Sequence, residues 1–295
     1  MSLDHWDEVR TAYHVARFGT VSGAAEALGV HHATVIRHID ALEARLGAKL
    51  FQRHARGYTP TEAGQDLLKV AQATDDQFTQ LAGRIRGRGD EVSGELIVTS
   101  LSIVSPLLTP ALAAFRDAYP GLVVRFLTDE RLFRLEYGEA HVAVRAGAAP
   151  GQPDNVVQPF VKVNHALYAS RAYADRHGLP ATEAGLAQHR VIGEDSGASP
   201  APFLRWLREA VPDTAAVWRT SAIPPMYDAV RAGVGIGFMP VFVARAEPDL
   251  VQVMPPRAEW ASPLWLVTHV DLHRTAKVKK CLAHLKEAAR TWGEI

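Results

Sequence analysis

The segment spanning residues 22–53 constrains the fold of this chain more than any other. It reads SGAAEALGVHHATVIRHIDALEARLGAKLFQR, and its spacing predicts two short helices joined by a tight turn. Ser22 is the expected N-cap of the first helix, and Gly29 has the backbone freedom that a helix end and a turn require. The second helix carries a single apolar stripe at Val35, Ile39, Leu42 and Leu46.

The polar face of the second helix allows two interpretations. His32, Arg37 and His38 lie near its N-terminal end, on the face opposite the stripe. A helix-turn-helix needs small residues in its first helix and polar residues at the start of its second, because the pair packs closely while the second helix lies in a major groove. An ordinary amphipathic helical hairpin has the same spacing, so the spacing alone does not separate the two.

The residues that follow favour the first interpretation. Gly47 and the LFQR of residues 50–53 are followed by the basic, turn-prone HARGY and by the TPTEAG of residues 59–64. Together with the patterns SxAAexLgV and IxxLExxLGxxLFxR, in this order and at this spacing, they resemble the LysR-type transcriptional regulators. The remaining chain also follows the layout of that family.

The resemblance implies a two-part architecture. An N-terminal all-α winged helix-turn-helix is expected over residues 1–60, and a long linker helix with a hinge over residues 61–90. A C-terminal α/β effector domain of two lobes, resembling the periplasmic binding proteins, is expected over residues 91–295. Lobe I would take about residues 91–161 and 267–295, and lobe II about residues 162–266.

The proposed linker helix has a heptad pattern between residues 61 and 85. Small and apolar residues recur there at alternating steps of three and four. The resemblance implies that this helix pairs two subunits, within a homotetramer built as a dimer of dimers. The alternative is a helix packed on its own domain. The residues expected at the subunit contact are Leu67, Ala71, Thr74, Phe78, Leu81 and Ile85.

Beyond residue 90 the sequence alternates between strand and helix patterns. Strands are predicted over residues 95–100, 123–128 and 141–145, with helices over 106–118 and 130–137 between them. This rhythm predicts a parallel sheet with helices on both faces, and a second such unit follows. The two units would be joined by crossovers near residues 160–163 and 264–268. Ligands of such folds bind between the lobes, at strand ends and helix starts.

The strand ends and helix starts supply the candidate effector site. Its hydroxyl-bearing and apolar members suggest a small, partly apolar carboxylate or a related aromatic acid as the ligand, and no other cofactor is expected. The candidate residues are Ser100, Leu101, Ser102, Thr128, Ser196, Phe203, Ser221, Ala222, Ile223, Met226 and Phe238.

The candidate DNA contacts lie on the second helix of the pair and in the wing. They are Ser22, His31, His32, Ala33, Thr34, Ile36, Arg37, His38, Arg53 and Arg56. The family usually has a small hydroxyl residue where this chain has Ile36, and commonly Gln where it has His32. The usual contacts therefore cannot be transferred at these two positions, although Ile36 can pack on a thymine methyl group.

Composition is compatible with local DNA binding. Lys plus Arg and Asp plus Glu both total 32, so the chain as a whole does not attract polyanions, and positive groups must act locally. The single cysteine, Cys281, excludes an intramolecular disulfide. Asp4, Asp7 and Glu8 interrupt any signal-peptide pattern, and no apolar run is long enough to span a bilayer, which favours the cytoplasm.

Patterns that suggest other chemistry are weak. The GVGIG of residues 233–237 follows a helix instead of a strand, so a turn entering a buried strand is favoured over a dinucleotide loop. His269 and His273 have no third ligand, so no metal site is expected. Ser102 and Ser199 have no recognisable activating His and Asp, so no catalytic residue is assigned.

Two hypotheses of function remain. The first is a sequence-specific transcriptional regulator that binds double-stranded operator DNA, is controlled by a small-molecule effector, and has RNA polymerase as a further candidate partner. The alternative is a two-lobed solute-binding protein or enzyme with an accessory helical domain. A groove-reading helix followed by heptads favours the regulator, because a transport protein has no use for either.

Overall fold

The computed structural model describes residues 5–55, 57–85, 92–129, 133–195, 197, 199–293 and 295. Arg56, Ser196 and the hinge predicted at residues 86–90 lie outside the described residues. The described elements form an N-terminal helical domain with a small hairpin, a long helix, and two α/β lobes.

The N-terminal domain contains three helices and a two-stranded hairpin. The elements are α1 Trp6–Phe18, α2 Val21–Leu28, α3 His32–Leu46, β1 Phe51–His54 and β2 Gly57–Pro60. The predicted stripe on α3 is buried at Val35, Ile39 and Leu42, where it meets α1 and α2 in one core. Burying these side chains holds the three helices together and leaves the opposite face of α3 to solvent.

The hairpin is anchored to the turn between α1 and α2. The amide of Tyr58 donates to the carbonyl of Gly19 at 2.7 Å. Gly57 has a φ of 141°, and a Cβ at this position would lie 2.2 Å from that same carbonyl oxygen. Only glycine fits this approach, so the hairpin has the position of a wing.

The helix α4, Glu62–Ile85, follows the wing as predicted. The Thr61 hydroxyl accepts a hydrogen bond from the amide of Gly64 at 3.2 Å, which caps its first turn.

The first lobe is built on a five-stranded mixed sheet in the order β4-β3-β5-β12-β6. Its elements are β3 Gly94–Ser100, α5 Ser105–Ala118, β4 Leu122–Thr128, β5 Val142–Ala146 and β6 Asn155–Val163, with β12 Ser262–His269, α10 Val270–His273 and α11 Ala276–Ala289 returning from the second lobe. The helix predicted over residues 130–137 is wrong in its described part, where only the 3₁₀ turn Leu135–Tyr137 forms, ended by Gly138 in the left-handed region at φ 67°.

The sheet is parallel only at β4, β3 and β5. The strand β12 runs antiparallel to both β5 and β6. The reason is that β6 leads out to the second lobe and β12 returns from it, so the two must point in opposite directions. Both predicted crossovers fall within these two strands. Because β12 pairs in the first sheet from Ser262 onward, lobe I begins again about five residues earlier than the sequence suggested.

The second lobe has an antiparallel sheet and a parallel pair. The sheet order is β10-β7-β11, and β8 pairs in parallel with β9. The elements are β7 His165–Ser170, α6 Arg171–His177, β8 Val191–Glu194, α7 Pro202–Ala210, β9 Ala216–Thr220, α8 Ile223–Arg231, β10 Gly237–Pro240, α9 Val241–Ala244 and β11 Leu250–Met254. Residues 233–237 form the turn from α8 into β10, as expected from the sequence.

Candidate DNA-binding surface and inter-lobe cavity

The first turns of α3 carry the exposed face predicted for DNA. His31, His32, Ala33, Ile36 and Arg37 are exposed, whereas Thr34 and His38 are half-buried. This row of polar and cationic groups, with an apolar Ile36 among them, has the chemistry that contacts base edges and phosphates in a major groove.

The N-cap of α2 differs from the sequence expectation. The helix begins at Val21, and the hydroxyl of Thr20 accepts a hydrogen bond from the amide of Gly23. Ser22 is therefore the second residue of the helix, with an exposed side chain that is free of the capping role.

His38 is tethered away from the groove side. Its Nδ1 lies 2.9 Å from the hydroxyl oxygen of Thr11 on α1. That hydroxyl donates to the carbonyl of Asp7, so it accepts from the Nδ1–H of His38. The hydrogen bond fixes the ring against α1 and leaves only Nε2 for a contact with DNA.

Arg53 forms ion pairs with two carboxylates of its own domain. Its guanidinium lies 2.5 Å from Asp40 and 3.2 Å from Glu43, both on α3, and it packs over the ring of Tyr58. The hydrogen bond to Asp40 raises the pKa of Arg53. The expected phosphate contact thus competes with a bond that fixes the wing to α3.

Glu43 is the buried centre of this arrangement, and the sequence analysis did not identify it. Its Oε1 accepts the amides of Leu50 at 3.0 Å and Phe51 at 3.2 Å, and its Oε2 lies 2.6 Å from the Lys49 ammonium. Burial disfavours the charged carboxylate, but the hydrogen bonds from Lys49, Leu50 and Phe51 outweigh it and lower the pKa of Glu43.

Part of the heptad pattern on α4 faces the N-terminal domain of its own chain. Leu67 packs partly on the core of the N-terminal domain and Ala71 is buried, so both residues contact their own chain. The Thr74 hydroxyl donates to the carbonyl of Val70. Leu81 and Ile85 belong to the helix, but their side chains lie outside the described residues. The subunit contact at Leu67 and Ala71 stays a prediction.

An exposed apolar surface remains along α4. Phe78 is 55 % exposed and contacts the ring of Trp6, itself 59 % exposed, edge to face at 6.3 Å. Val70 on the same helix is 69 % exposed. Large apolar side chains this exposed on two adjoining helices are typical of a surface that another protein covers.

A cavity of about 580 Å³ lies between the two lobes. It is lined by the end of β3 from lobe I and by the starts of α7 and α8 from lobe II. The predicted effector residues that line it are Ser100, Leu101, Ser102, Phe203, Ser221, Ala222, Ile223 and Met226.

Two predicted residues do not line the cavity. Thr128 ends the edge strand β4 with an exposed side chain, outside the cavity wall. Phe238 is fully buried behind Phe203, with ring centroids 5.4 Å apart, because β10 turns this side chain into the core of lobe II. These two assignments are corrected.

Three helix starts meet at this cavity, from the 3₁₀ turn Ser102–Val104 that leads into α5, from α7 and from α8. Their N-cap residues are Leu101, Ala201 and Ala222, and none of the three provides a side-chain cap. Pro202 of α7 and Pro224 and Pro225 of α8 have no N–H, so these two starts offer fewer backbone donors than usual, but each has the positive end of the helix dipole. The cavity therefore favours an anionic group on a ligand.

Four ionisable side chains in the cavity lining were not predicted from the sequence, namely Asp129, Arg145, His165 and Glu194. Glu194 accepts the amide of Ser199 at 2.9 Å and pairs with Arg208 at 3.1 Å. Arg145 ends a predicted strand beside the one that ends at Ser100, and this position is a signal that could have identified it. His165 lies inside an apolar run, where no sequence signal marks it.

His165 forms part of the cavity floor. It is fully buried and stacks on Phe203, with ring centroids 4.0 Å apart, and neither ring nitrogen has a hydrogen-bond partner among the described residues. Burial lowers the pKa of His165 to about 3, against the opposing effect of the nearby Val163 and Trp260 carbonyls. The ring is therefore neutral at physiological pH.

Two family models match this chain. The model of the bacterial regulatory helix-turn-helix protein, lysR family, matches residues 6–65, and the LysR substrate binding domain matches residues 89–290, more than half of the chain. The chain belongs to the LysR family. It is a LysR-type transcriptional regulator with a helix-turn-helix DNA-binding domain and an effector-binding domain.

Relatives of this LysR-type regulator match it over nearly its whole length. The probable HTH-type transcriptional regulator LtrA of Klebsiella pneumoniae is 28 % identical and covers 97 % of this chain and 96 % of its own. Full-length OxyR of Pseudomonas aeruginosa has the same fold, with a TM-score of 0.74 at 15 % identity, covering 99 % of this chain and 96 % of its own. Full-length LysG of Corynebacterium glutamicum, solved with bound effector Arg, has a TM-score of 0.66 at 17 % identity, covering 96 % and 97 %.

Among the described residues, no three His, Cys, Asp or Glu side chains are arranged to hold a metal ion. No helix within the described part of the chain is both long and apolar enough to cross a lipid bilayer.

Proposed function

We propose that the effector of this regulator is a small, partly apolar carboxylic acid bound in the inter-lobe cavity. The observation that carries the proposal is the meeting of three helix starts without side-chain caps with the hydroxyls of Ser100, Ser102 and Ser221 in the lining of the cavity. Hydroxyls and helix starts together bind a carboxylate, and Phe203, Ile223 and Met226 supply an apolar wall for the rest of the ligand.

The same proposal covers assembly and control. The protein acts as a homotetramer built as a dimer of dimers, through surfaces that include Phe78, and it acts in the cytoplasm without catalysing a reaction. Closure of the lobes on the acid changes the geometry between subunits and hence the spacing of the two α3 helices on the operator. RNA polymerase is the partner through which the regulator affects transcription.

Calorimetry with variants of the serines tests the effector site. A thermal-shift screen of carboxylic acids provides the probe, and its affinity is then measured for wild type, Ser100→Ala and Ser221→Ala. Each loss of a hydroxyl in contact with a carboxylate weakens binding by about 10-fold, from about 1.5 kcal/mol per charge-assisted hydrogen bond. Thr128→Ala is the matched control, since Thr128 lies outside the cavity. Undiminished affinity in both serine variants contradicts the proposal.

A gel shift tests the DNA-binding surface. The probe is the DNA upstream of the gene, and the comparison is wild type against Arg37→Ala at moderate salt. Arg37 lies on the exposed face of α3, so its loss weakens binding. Arg116→Ala, which removes an exposed arginine of lobe I paired with Asp117, serves as the control and leaves binding unchanged. Equal binding by the Arg37 and Arg116 variants contradicts the assignment of α3.

A further inference from the structure

Among the described residues that line the inter-lobe cavity, Arg145 is the arginine. It lies on β5, opposite Trp265 of β12, one residue beyond the level of Ser100 on the neighbouring strand. Its guanidinium Nη2 donates to the carbonyl of Phe133 at 2.7 Å. Within the described residues no carboxylate lies within ion-pair distance of it, and Glu136 acts only at longer range.

This arrangement leaves Arg145 with unused binding capacity. A guanidinium has five N–H donors, and its geometry matches both oxygens of a carboxylate. Burial lowers the pKa of Arg145 against the opposing effect of the Glu136 charge, which means that its charged form is incompletely stabilised where it lies. A ligand carboxylate in the cavity provides a further counter-charge.

The segment that Arg145 holds also contacts the linker helix. Phe133 precedes the 3₁₀ turn Leu135–Tyr137, whose Leu135 side chain is buried in lobe I. Gly138 follows, and a Cβ at this position would lie 3.5 Å from Oε1 of Gln72 on α4. Residues 133–138 therefore lie between the cavity and the helix that leads to the DNA-binding domain. We name them the bridging segment.

We propose that Arg145 binds the carboxylate of the effector in place of the Phe133 carbonyl, and that this exchange shifts the bridging segment against Gln72 of α4. The inference rests on the proposed acid ligand and adds the residue that selects it and the contact that transmits its binding. A hydrogen bond from a guanidinium to a carboxylate is stronger than one to a neutral carbonyl. The ligand carboxylate therefore replaces the Phe133 carbonyl as the acceptor. The two states then differ in their contacts with α4, as an allosteric effect requires.

Selection is tested with a matched pair of ligands. The probes are the best carboxylic acid from the thermal-shift screen and its primary amide, which has the same shape without the charge. Calorimetry on wild type should show that the acid binds about 10-fold or more tightly than the amide. Arg145→Gln should lose that preference while its affinity for the amide stays within about twofold. Arg125→Gln, which removes an exposed arginine of lobe I, is the control and keeps the preference.

Transmission is tested on the other side of the bridging segment. Fluorescence anisotropy gives the DNA affinity with and without saturating acid, and wild type should show a ratio of about 5 or more. Gln72→Ala should bind the acid as wild type does but bring the DNA affinity ratio close to 1. Arg145→Gln without ligand should have the DNA affinity of acid-bound wild type, because in both states the Phe133 carbonyl no longer accepts a hydrogen bond from the Arg145 guanidinium.

The possible results separate the inference from the proposal it rests on. Wild-type protein that binds no acid of the screen, or prefers the amide, overturns the acid effector itself. Wild-type preference for the acid that persists in Arg145→Gln overturns only the role of Arg145. An unchanged DNA affinity ratio in Gln72→Ala overturns the transmission through the bridging segment.

Discussion

Single buried ionisable residues determine how the parts of this regulator hold together. Glu43 is 3 % exposed, yet it binds two wing amides, Lys49 and Arg53 at once. A carboxylate in this position stabilises the domain only while it is charged, because its partners are donors and cations. The wing and α3 consequently form one unit through this side chain.

We expect Glu43→Ala to destabilise the DNA-binding domain by about 2 to 4 kcal/mol, since two buried amides lose their acceptor. The contribution of Glu43 is present above pH 4.5 and is lost as pH falls, because its pKa is lowered in the folded protein. Urea unfolding and hydrogen exchange at Leu50 and Phe51 measure the effect. The control Glu26→Ala, at an exposed position of α2, should change stability little, and equal stability of the two variants would refute the role of Glu43.

His165 produces a pH dependence of the same direction, from a side chain that is neutral in the folded protein. Its pKa falls from 6.5 to about 3 on folding, so between these values the unfolded chain binds more protons than the native protein. Stability therefore decreases as pH falls from 6.5, by about 2 kcal/mol at pH 5. We expect His165→Phe, which keeps the stack on Phe203, to lack this loss in urea unfolding across the same range. Identical pH profiles for both proteins would show that another group is responsible.

At the level of elements, periodic sequence patterns predicted most of the fold and positioned much of the cavity. The stripe on α3 and the alternation beyond residue 90 are local signals, so α3 forms where the stripe predicts it, and α5 and β3 form within one residue of their predicted bounds. Residues 133–138 lack such a signal, because a 3₁₀ turn held by distant contacts has no period of its own. Likewise, the Thr20 cap was missed because Thr20 and Ser22 are equally good capping residues in the sequence.

The helix α4 has both buried and exposed apolar side chains. Its N-terminal part covers the DNA-binding domain, and Val70 and Phe78 remain exposed, where we propose that a second subunit binds. The sequence predicts the stripe but not its division, since both partners require the same spacing.

We expect Phe78→Asp to dissociate the assembly, because a charge replaces an apolar group on the surface that α4 shares with Trp6. Light scattering should show a smaller species, and DNA affinity should fall by about 100-fold as one of two linked contacts is lost. Gln65→Asp, at an exposed polar position of the same helix, should remain assembled. A Phe78→Asp protein of unchanged mass would move the subunit contact elsewhere.

For the whole molecule, the order of helices and strands along the sequence predicts the two lobes and the cavity between them. Which side chains face that cavity depends on strand direction and on residues far apart in the chain. For this reason Ser100 and Ser221 were found from local helix starts, whereas Arg145 and His165 emerged only once β5 and β7 were placed. Phe238 was misassigned for the same reason, since its orientation follows from the pairing of β10 with β7.

The regulator also links its domains within one chain. Arg17 of α1 lies 3.3 Å from Glu95 of β3, and α4 contacts lobe I at Gly138. Lobe I is thus in direct contact with both the DNA-binding domain and the linker helix. A rearrangement of lobe I on ligand binding would affect both through these contacts.

We expect the affinity of α3 for DNA to depend on whether a ligand occupies the inter-lobe cavity. The most direct measurement is fluorescence anisotropy of wild type and Ser100→Ala on DNA from upstream of the gene, with increasing concentrations of the best carboxylic acid. Wild-type affinity for DNA should change by about 5-fold or more at saturation, and the Ser100→Ala curve should shift to about 10-fold higher acid concentration. A wild-type DNA affinity that is the same at every acid concentration would contradict the account.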